Sequence, residues 1–502
     1  MSVLGLDIGT TGVKSVAFSP EGVPLASSYQ RYSLIQEQPG WAELDPREVS
    51  RAILSVVRSV ASQAGKGSIV AVCSTALGEA VVPVDKAYAA LDNSIIAIDH
   101  RAEAETAAFA AQLPPDEFFG ITGQLEHPIA SLFKILWWKE KRPEVFRAAR
   151  RFFCWNEMLA ALLGVEPATS PSLAARMGIY DLTAATWSGK ILEAAGLSPD
   201  LFAPVAPAGS ILGEVPPTIA SDLGLARKCL LVCGGWDQAC AALGAGAYEP
   251  GVVVNAMGTT DSLNATFRGV MTSRAMMESG LTCTPHPLDG LFCTNAFSTG
   301  GGNLLSWYRD LIVGQKGSGS KEAEMALLVD RALATDPGAL MVLPHFIGSG
   351  TPAMDPQSLG CIFGLTTATT REALLCAILE GIALEMWVNL ECLVSCGLPV
   401  ERIHVCGGAA HSRATLEMRS DLFGRRLIPL VVDEAGCVAC GILATSALDP
   451  SNGPATLAKR WVRTEEPICP DQAQSAAWGK KKAIYSQLYP TVKSILHDMR
   501  NL

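Results

Sequence analysis

A hairpin written twice constrains this chain more than any other feature. Ser2 to Leu6 is a short apolar run, Asp7-Ile8-Gly9-Thr10-Thr11-Gly12 is a polar turn, and Val13 to Ser19 alternates, so the segment reads as strand, Gly/Thr turn, strand. About halfway along, the same grammar returns. Gly251-Val252-Val253-Val254-Asn255-Ala256 leads into Met257-Gly258-Thr259-Thr260-Asp261-Ser262. Two halves opened in this way predict a duplicated α/β fold, with one domain over 1–246 and a second over 247–502. The length of 502 residues accommodates both, each with its own core.

Helix signals fill the space between the hairpins. Asp45-Pro46-Arg47-Glu48 starts a helix that runs to about Ala64, with proline at its first position, and Pro128 to Glu140 is another. In the second half, Thr370-Arg371-Glu372 opens a long helix to about Ser395. Ile403 to Cys406 is a strand, and Gly407-Gly408-Ala409-Ala410 turns into a further helix. No low-complexity linker separates the halves, so they are expected to meet across a cleft and move as rigid bodies.

Composition removes whole classes of partner. The 39 Lys and Arg against 49 Asp and Glu leave a charge of −10, which disfavours nucleic acid and anionic membranes. The most apolar stretch, Ala373 to Val394, carries Glu380, Glu385 and Glu391 and reads as a core helix rather than a membrane span. Met1 to Asp7 lacks a basic segment before its apolar run and reads as a strand, not a targeting signal. Fifteen cysteines in that context point to reduced thiols and a cytoplasmic protein. The C-x-x-C of Cys437 and Cys440 lies in an Ala/Gly-rich apolar segment and is expected to pack a helix, not to bind metal.

Chemistry enters at the turns. A Gly-Thr-Thr-Gly turn offers backbone N–H groups and two hydroxyls to an anion, an adjacent Asp7 can hold a hydrated Mg²⁺, and Lys14 adds positive charge. An ordinary β-turn is the competing reading of either hairpin alone. Recurrence at Gly258-Thr259-Thr260, with a third Gly-rich strand-to-helix turn at Gly407 to Ala410, favours a nucleotide site between the domains.

Several further segments resemble the FGGY-type carbohydrate kinases, within the sugar kinase, actin and Hsp70 ATPase superfamily. Asp7 to Lys14 is similar to the first phosphate loop of that family, and Gly234-Gly235-Trp236-Asp237-Gln238 to the segment carrying its catalytic Asp. Gly360 to Leu365, followed by Thr370-Arg371 and Leu379-Glu380-Gly381, resembles one family signature, and Ser131 to Trp137 resembles the other. Pro344 to Pro356 also fits, so the resemblance spans almost the whole chain. It implies two ribonuclease H-like (actin-like ATPase) domains around a central cleft, the first binding sugar and the second nucleotide. The implied reaction is transfer of the ATP γ-phosphoryl to a hydroxyl of a small ketose or polyol. On that reading Asp237 is the general base, Asp7 holds Mg²⁺ through water, and Gly9, Thr10, Thr11, Lys14, Gly258, Thr259 and Thr260 contact phosphate. Gly302, Gly408 and Ser412 fall near the adenine and ribose. Asp237 reads from its neighbours as a lone carboxylate at a strand end; helix capping is its competing role.

Substrate identity is where the chain departs from familiar members. Xylulose kinases carry Gln-Met-His and glycerol kinases Asn-Gln-Arg-Glu before a short strand ending in Asp, whereas this chain has Ala76-Leu77-Gly78-Glu79 before Val81 to Asp85. Glu79 is placed to accept hydrogen bonds from acceptor hydroxyls, beside the bare Gly78. Ile98-Asp99-His100-Arg101 resembles a Trp-x-Asp-x-Arg element with Ala97 in place of the Trp, so the pocket is expected to lack a stacking wall; Asp99 is a further hydroxyl acceptor and Arg101 pairs with a carboxylate nearby, structural ion pairing being the alternative for both. A neutral four- or five-carbon acceptor follows, a pentulose such as xylulose foremost, with glycerol or a tetritol as alternatives and a homodimer as the expected assembly. The competing classes are an actin-like nucleotide switch and a sugar-binding regulator without catalysis.

Overall fold

In the computed structural model, which describes residues 1–313, 321–431, 434–500 and 502, each hairpin heads a six-stranded sheet. The first sheet contains β1 (Ser2–Ile8), β2 (Gly12–Phe18), β3 (Pro24–Arg31), β4 (Ile69–Ala76), β5 (Ile211–Glu214) and β6 (Leu230–Trp236), in the order β5-β6-β4-β1-β2-β3. The second contains β7 (Val252–Met257), β8 (Asp261–Arg268), β9 (Thr284–Pro285), β10 (Leu291–Ser298), β11 (Arg402–Cys406) and β12 (Leu427–Pro429), in the order β9-β10-β8-β7-β11-β12. Each is an antiparallel meander continued by two parallel strands: β1–β2–β3 with β4 and β6, and β7–β8–β10 with β11 and β12. The duplication read from the turns is therefore a duplication of topology.

Parallel neighbours require crossovers, and helices supply them. Between β3 and β4 lies α1 (Pro46–Ala64), entered through Asp45, whose carboxylate accepts from the Arg47 N–H, and ended at Gly65. Its Val49, Ala52, Ile53, Val56, Val57 and Val60 recur at three- and four-residue spacing, and all are buried. They cover the face of β1 that carries Leu4, Leu6 and Ile8. The site also uses α2 (Ser131–Lys141), α3 (Pro171–Arg176), α4 (Asp237–Gly244) and α5 (Gly302–Tyr308). The equivalent crossover in the second sheet includes α6 (Arg371–Ser395), capped by Thr370. Although α6 is long and apolar enough to cross a bilayer, 83% of its most apolar window is buried, as befits a core helix.

The helices that follow include α7 (Arg413–Phe423), α8 (Ala435–Leu448) and α9 (Gln472–Arg500). Of these, α8 reaches back across the expected division at 246/247. The two sheets fall on either side of that point, but α8 returns to the first sheet and covers its other face, packing Cys437, Cys440 and Leu443 with Val3, Ala71, Cys73 and Val232. Glycines make the approach possible. A Cβ on Gly5 would lie 2.3 Å from the Cys437 carbonyl oxygen, and one on Gly244 would lie 1.8 Å from that of Ala435. The C-x-x-C pair is thus part of this helix contact, with Cys440 Sγ 3.5 Å from the Leu6 carbonyl.

Candidate active site

The first turn is closed by the Gly9 N–H donating to the Gly12 carbonyl at 3.0 Å, and the Tyr32 hydroxyl donates to the same carbonyl at 3.1 Å. Thr10 is left half-buried and Thr11 exposed. The Lys14 ammonium is paired with Glu434, at the entry to α8. Beside it, Asp7 is pushed up to about 6 by burial and by the Glu434 charge, with Lys14 opposing. A Cβ on Gly436 would sit 2.8 Å from Asp7 Oδ2, so the glycine clears the space around this carboxylate.

In the second domain the turn is bound to the start of α5. The Gly302 N–H donates to the Gly258 carbonyl at 2.9 Å and the Asn303 N–H to that of Thr259 at 3.0 Å. The glycine run 300–302 is required by closeness: a Cβ on Gly301 would come within 2.8 Å of the Thr260 carbonyl carbon. Gly258, Thr259, Gly302, Gly408 and Ser412 together line a cavity of about 1170 Å³, which Thr260 does not reach. Ser412 also caps α7, accepting from the Thr415 N–H. Sequence reading missed the brace behind this turn. Arg419 on α7 donates to Asn255 Oδ1 at 3.0 Å and to Asp261, tying the two hairpin strands to the helix.

Between these turns, Asp237 opens α4 directly after β6. Its Oδ1 accepts from the Gln238 N–H at 2.6 Å. Burial, then the charges of Asp7 and Glu79, push its carboxyl up to about 8 against the Gln238 N–H and Arg176. It is therefore one of three interacting carboxylates, and its expected isolation is corrected. The next residue is clasped from the second domain: Asn264 Nδ2 donates to the Gln238 carbonyl at 2.9 Å and Asn295 Nδ2 to its Oε1 at 3.3 Å.

Glu79 adopts φ +60, a left-handed conformation rare for a residue with a Cβ. Two groups on α2 hold it there, Ser131 Oγ at 3.0 Å and Lys134 Nζ at 2.8 Å from its carbonyl, which gives this family-signature segment a structural task. The Glu79 side chain meets Arg176 of α3, whose Nε and Nη2 both donate to Oε1. Arg176 Nη1 donates to Gln124 Oε1 at 2.5 Å, and its guanidinium lies 4.5 Å from the centre of the Trp236 ring. Neither Arg176 nor Gln124 stood out in the sequence, because their partners lie far away along it.

One expectation fails on this side. Asp99 is sealed, accepting from the Ala42 N–H at 2.5 Å and from Arg101 Nη2 at 2.7 Å, so it orients Arg101 instead of facing an acceptor. A Cβ on Gly78 would lie 2.5 Å from Trp236 Nε1, so the bare residue makes room for an indole next to Asp237.

Two actin-like domains, a phosphate-type turn in each, a nucleotide-sized cavity and a buried carboxylate between them define the class: an ATPase-fold phosphotransferase. Residues 2–244 match the model of the N-terminal domain of the FGGY family of carbohydrate kinases, and residues 255–448 that of its C-terminal domain. The chain belongs to the FGGY family of carbohydrate kinases. It is 27% identical to the gluconokinase of Bacillus subtilis over 462 residues, 89% of this chain and 88% of that one. To the xylulose kinase of the same organism it is 24% identical over 500 residues, 98% and 97% of the two chains. The fold is similar to the ligand-bound xylulose kinase from Lactobacillus acidophilus, with TM-score 0.91, 20% identity and 99% of each chain covered. Family membership makes the protein a sugar or polyol kinase that uses ATP, and the nucleotide-switch alternative falls away.

Proposed function

We propose that this kinase phosphorylates a small neutral ketose or polyol, a pentulose such as xylulose foremost, in the cytoplasm. The observation that carries the reading is the charge at the acceptor side. Arg176, the cation nearest Asp237 there, is matched by Glu79 and bonded to Gln124, while Lys134 is turned onto the carbonyls of Glu79 and Ile129. An aldonate carboxylate would meet Asp7, Asp237 and Glu79 with no free cation among these groups to receive it.

In this reading Asp237 removes the proton from the attacking hydroxyl, and ionisation of its carboxyl is the condition for turnover. Glu79 accepts from neighbouring acceptor hydroxyls through Oε2, since Arg176 occupies Oε1. Gly258, Thr259 and Gly302 receive the nucleotide phosphates, with Gly408 and Ser412 at its other end. Asp7 fits Mg²⁺ as a hard carboxylate donor in a glycine-cleared space; no group of three His, Cys, Asp or Glu forms a closed metal cage among the described residues. The ion, when bound, neutralises phosphate charge. The remaining work belongs to the chain: holding Asp237 through Gln238 and the two asparagines, and keeping Asp7 beside the first turn.

Acceptor-dependent ADP release over D-xylulose, D-ribulose, erythritol, glycerol and gluconate tests this. A neutral acceptor should exceed gluconate in kcat/KM by about 100-fold or more. Gluconate as the best acceptor would overturn it.

A further inference from the structure

The acceptor side has an excess of groups that only accept. Ionised Asp237 and Glu79 donate no hydrogen bond, and each nitrogen of Arg176 is already engaged with Glu79 or Gln124. A hydroxyl satisfies such carboxylates by donating to them. A ketone oxygen cannot, and needs an N–H or O–H of its own.

Trp236 carries that donor. Its residue is 6% exposed and belongs to an apolar cluster with Ala239 and Cys293. Its Nε1 nevertheless has no partner among the described residues, and it is not one of the fully sealed, unsatisfied indole nitrogens, as those of Trp155 and Trp461 are. The N–H edge lies against Gly78, where any side chain would displace it, and the guanidinium of Arg176 packs on the ring. Its backbone N–H is fixed on Ser172 Oγ at 2.9 Å, so the indole is anchored one residue before the base.

We propose that Trp236 is a specificity-determining residue, its indole N–H donating to a ketone oxygen of the acceptor and selecting a ketose over the corresponding polyol. Gly78 is the residue that admits the indole to this place. The inference rests on the kinase reading with Asp237 as base.

The full-length protein is assayed for ADP release with D-xylulose against xylitol and with L-erythrulose against erythritol. Wild type should prefer the ketose in at least one pair. Trp236→Phe, which keeps the ring and removes the N–H, should lower that preference about 5- to 10-fold, through the ketose KM, with the ATP KM within about twofold of wild type. Gly78→Ala, which leaves the tryptophan in the chain but crowds the indole, should lower it in the same direction. A wild-type preference for the polyols, or a ketose-to-polyol ratio unchanged in both variants, would overturn the inference alone. Wild type inactive on all four acceptors would bring down the proposed acceptor class, Asp237→Asn turning over like wild type would remove the base, and either would take the inference with it.

Discussion

At the scale of single residues, the raised Asp237 carboxyl has two opposite consequences. Its value moves from 3.8 to about 8 on folding, so the folded chain holds a proton that the unfolded chain has released across that interval. The stability it contributes is complete below about pH 4 and is lost as pH rises through about 8. Activity runs the other way, because the base works only when ionised. With the best acceptor, kcat/KM should climb with pH to a plateau above about 8, and a flat profile from about pH 6 to 9 would remove Asp237 as the proton acceptor. Asp237→Asn should lower turnover about 100-fold or more with nucleotide affinity near wild type, yet melt about 2 °C or more higher at pH 8.5. Glu79→Gln tests the charge argument directly. It frees Arg176, so the acceptor KM should rise about 10-fold or more while gluconate competes with the neutral acceptor more strongly than in wild type. Asp237 was legible because its strand, small residues and following Gln form one local pattern. Arg176 was not, since its partner Glu79 lies 97 positions away, and the pairing of Lys14 with Glu434 was hidden in the same way, across 420 positions.

Among the elements, local signals located helices well and packing poorly. The Asp45-Pro46 start and Ala64 end of α1 coincide with the structure, as do the Arg371 and Ser395 limits of α6, because caps, proline at the first turn and apolar spacing act within a few residues. Nothing local says which sheet α8 covers, because its 435–448 segment is apolar nearly all round. Its glycine contacts separate two kinds of damage. Gly5→Ala sets a Cβ against the Cys437 backbone, which has no room to yield, and should cost about 1–3 kcal/mol in unfolding. Gly436→Ala sets one against the Asp7 carboxylate, which turns aside instead. It should raise the Mg²⁺ concentration for half-maximal velocity about 10-fold and leave the melting temperature nearly unchanged. Equal losses of stability in the two variants would refute the distinction.

For the molecule as a whole, the two phosphate turns belong to different sheets, while Gln238 is clasped from β8 and β10 one residue after the base. Closure of the cleft then brings the base's neighbour and both turns into one arrangement, and acceptor and nucleotide should each tighten the other. Linkage demands the same factor in both directions, about 5- to 150-fold. Calorimetry with a non-hydrolysable ATP analogue and D-xylulose should return matching ratios; independent binding, with scattering profiles unchanged by either ligand, would mean a preformed cleft. The repeat was legible from its turns because each hairpin is contiguous in sequence. The return of α8 across the division was not, since it depends on contacts between the chain's opposite ends.

That return also sets a timetable for synthesis. The strands of the first sheet are complete once Trp236 has been made, but the face bearing Val3, Ala71, Cys73 and Val232 has only Cys240 and Leu243 of α4 over it until α8 emerges at 435–448. At about 5–20 residues per second, the ribosome takes about 10–40 s to bridge that gap. Throughout it a nascent chain displays a wide apolar surface that its own later segment will occupy, which makes this the interval when holding chaperones have most to do.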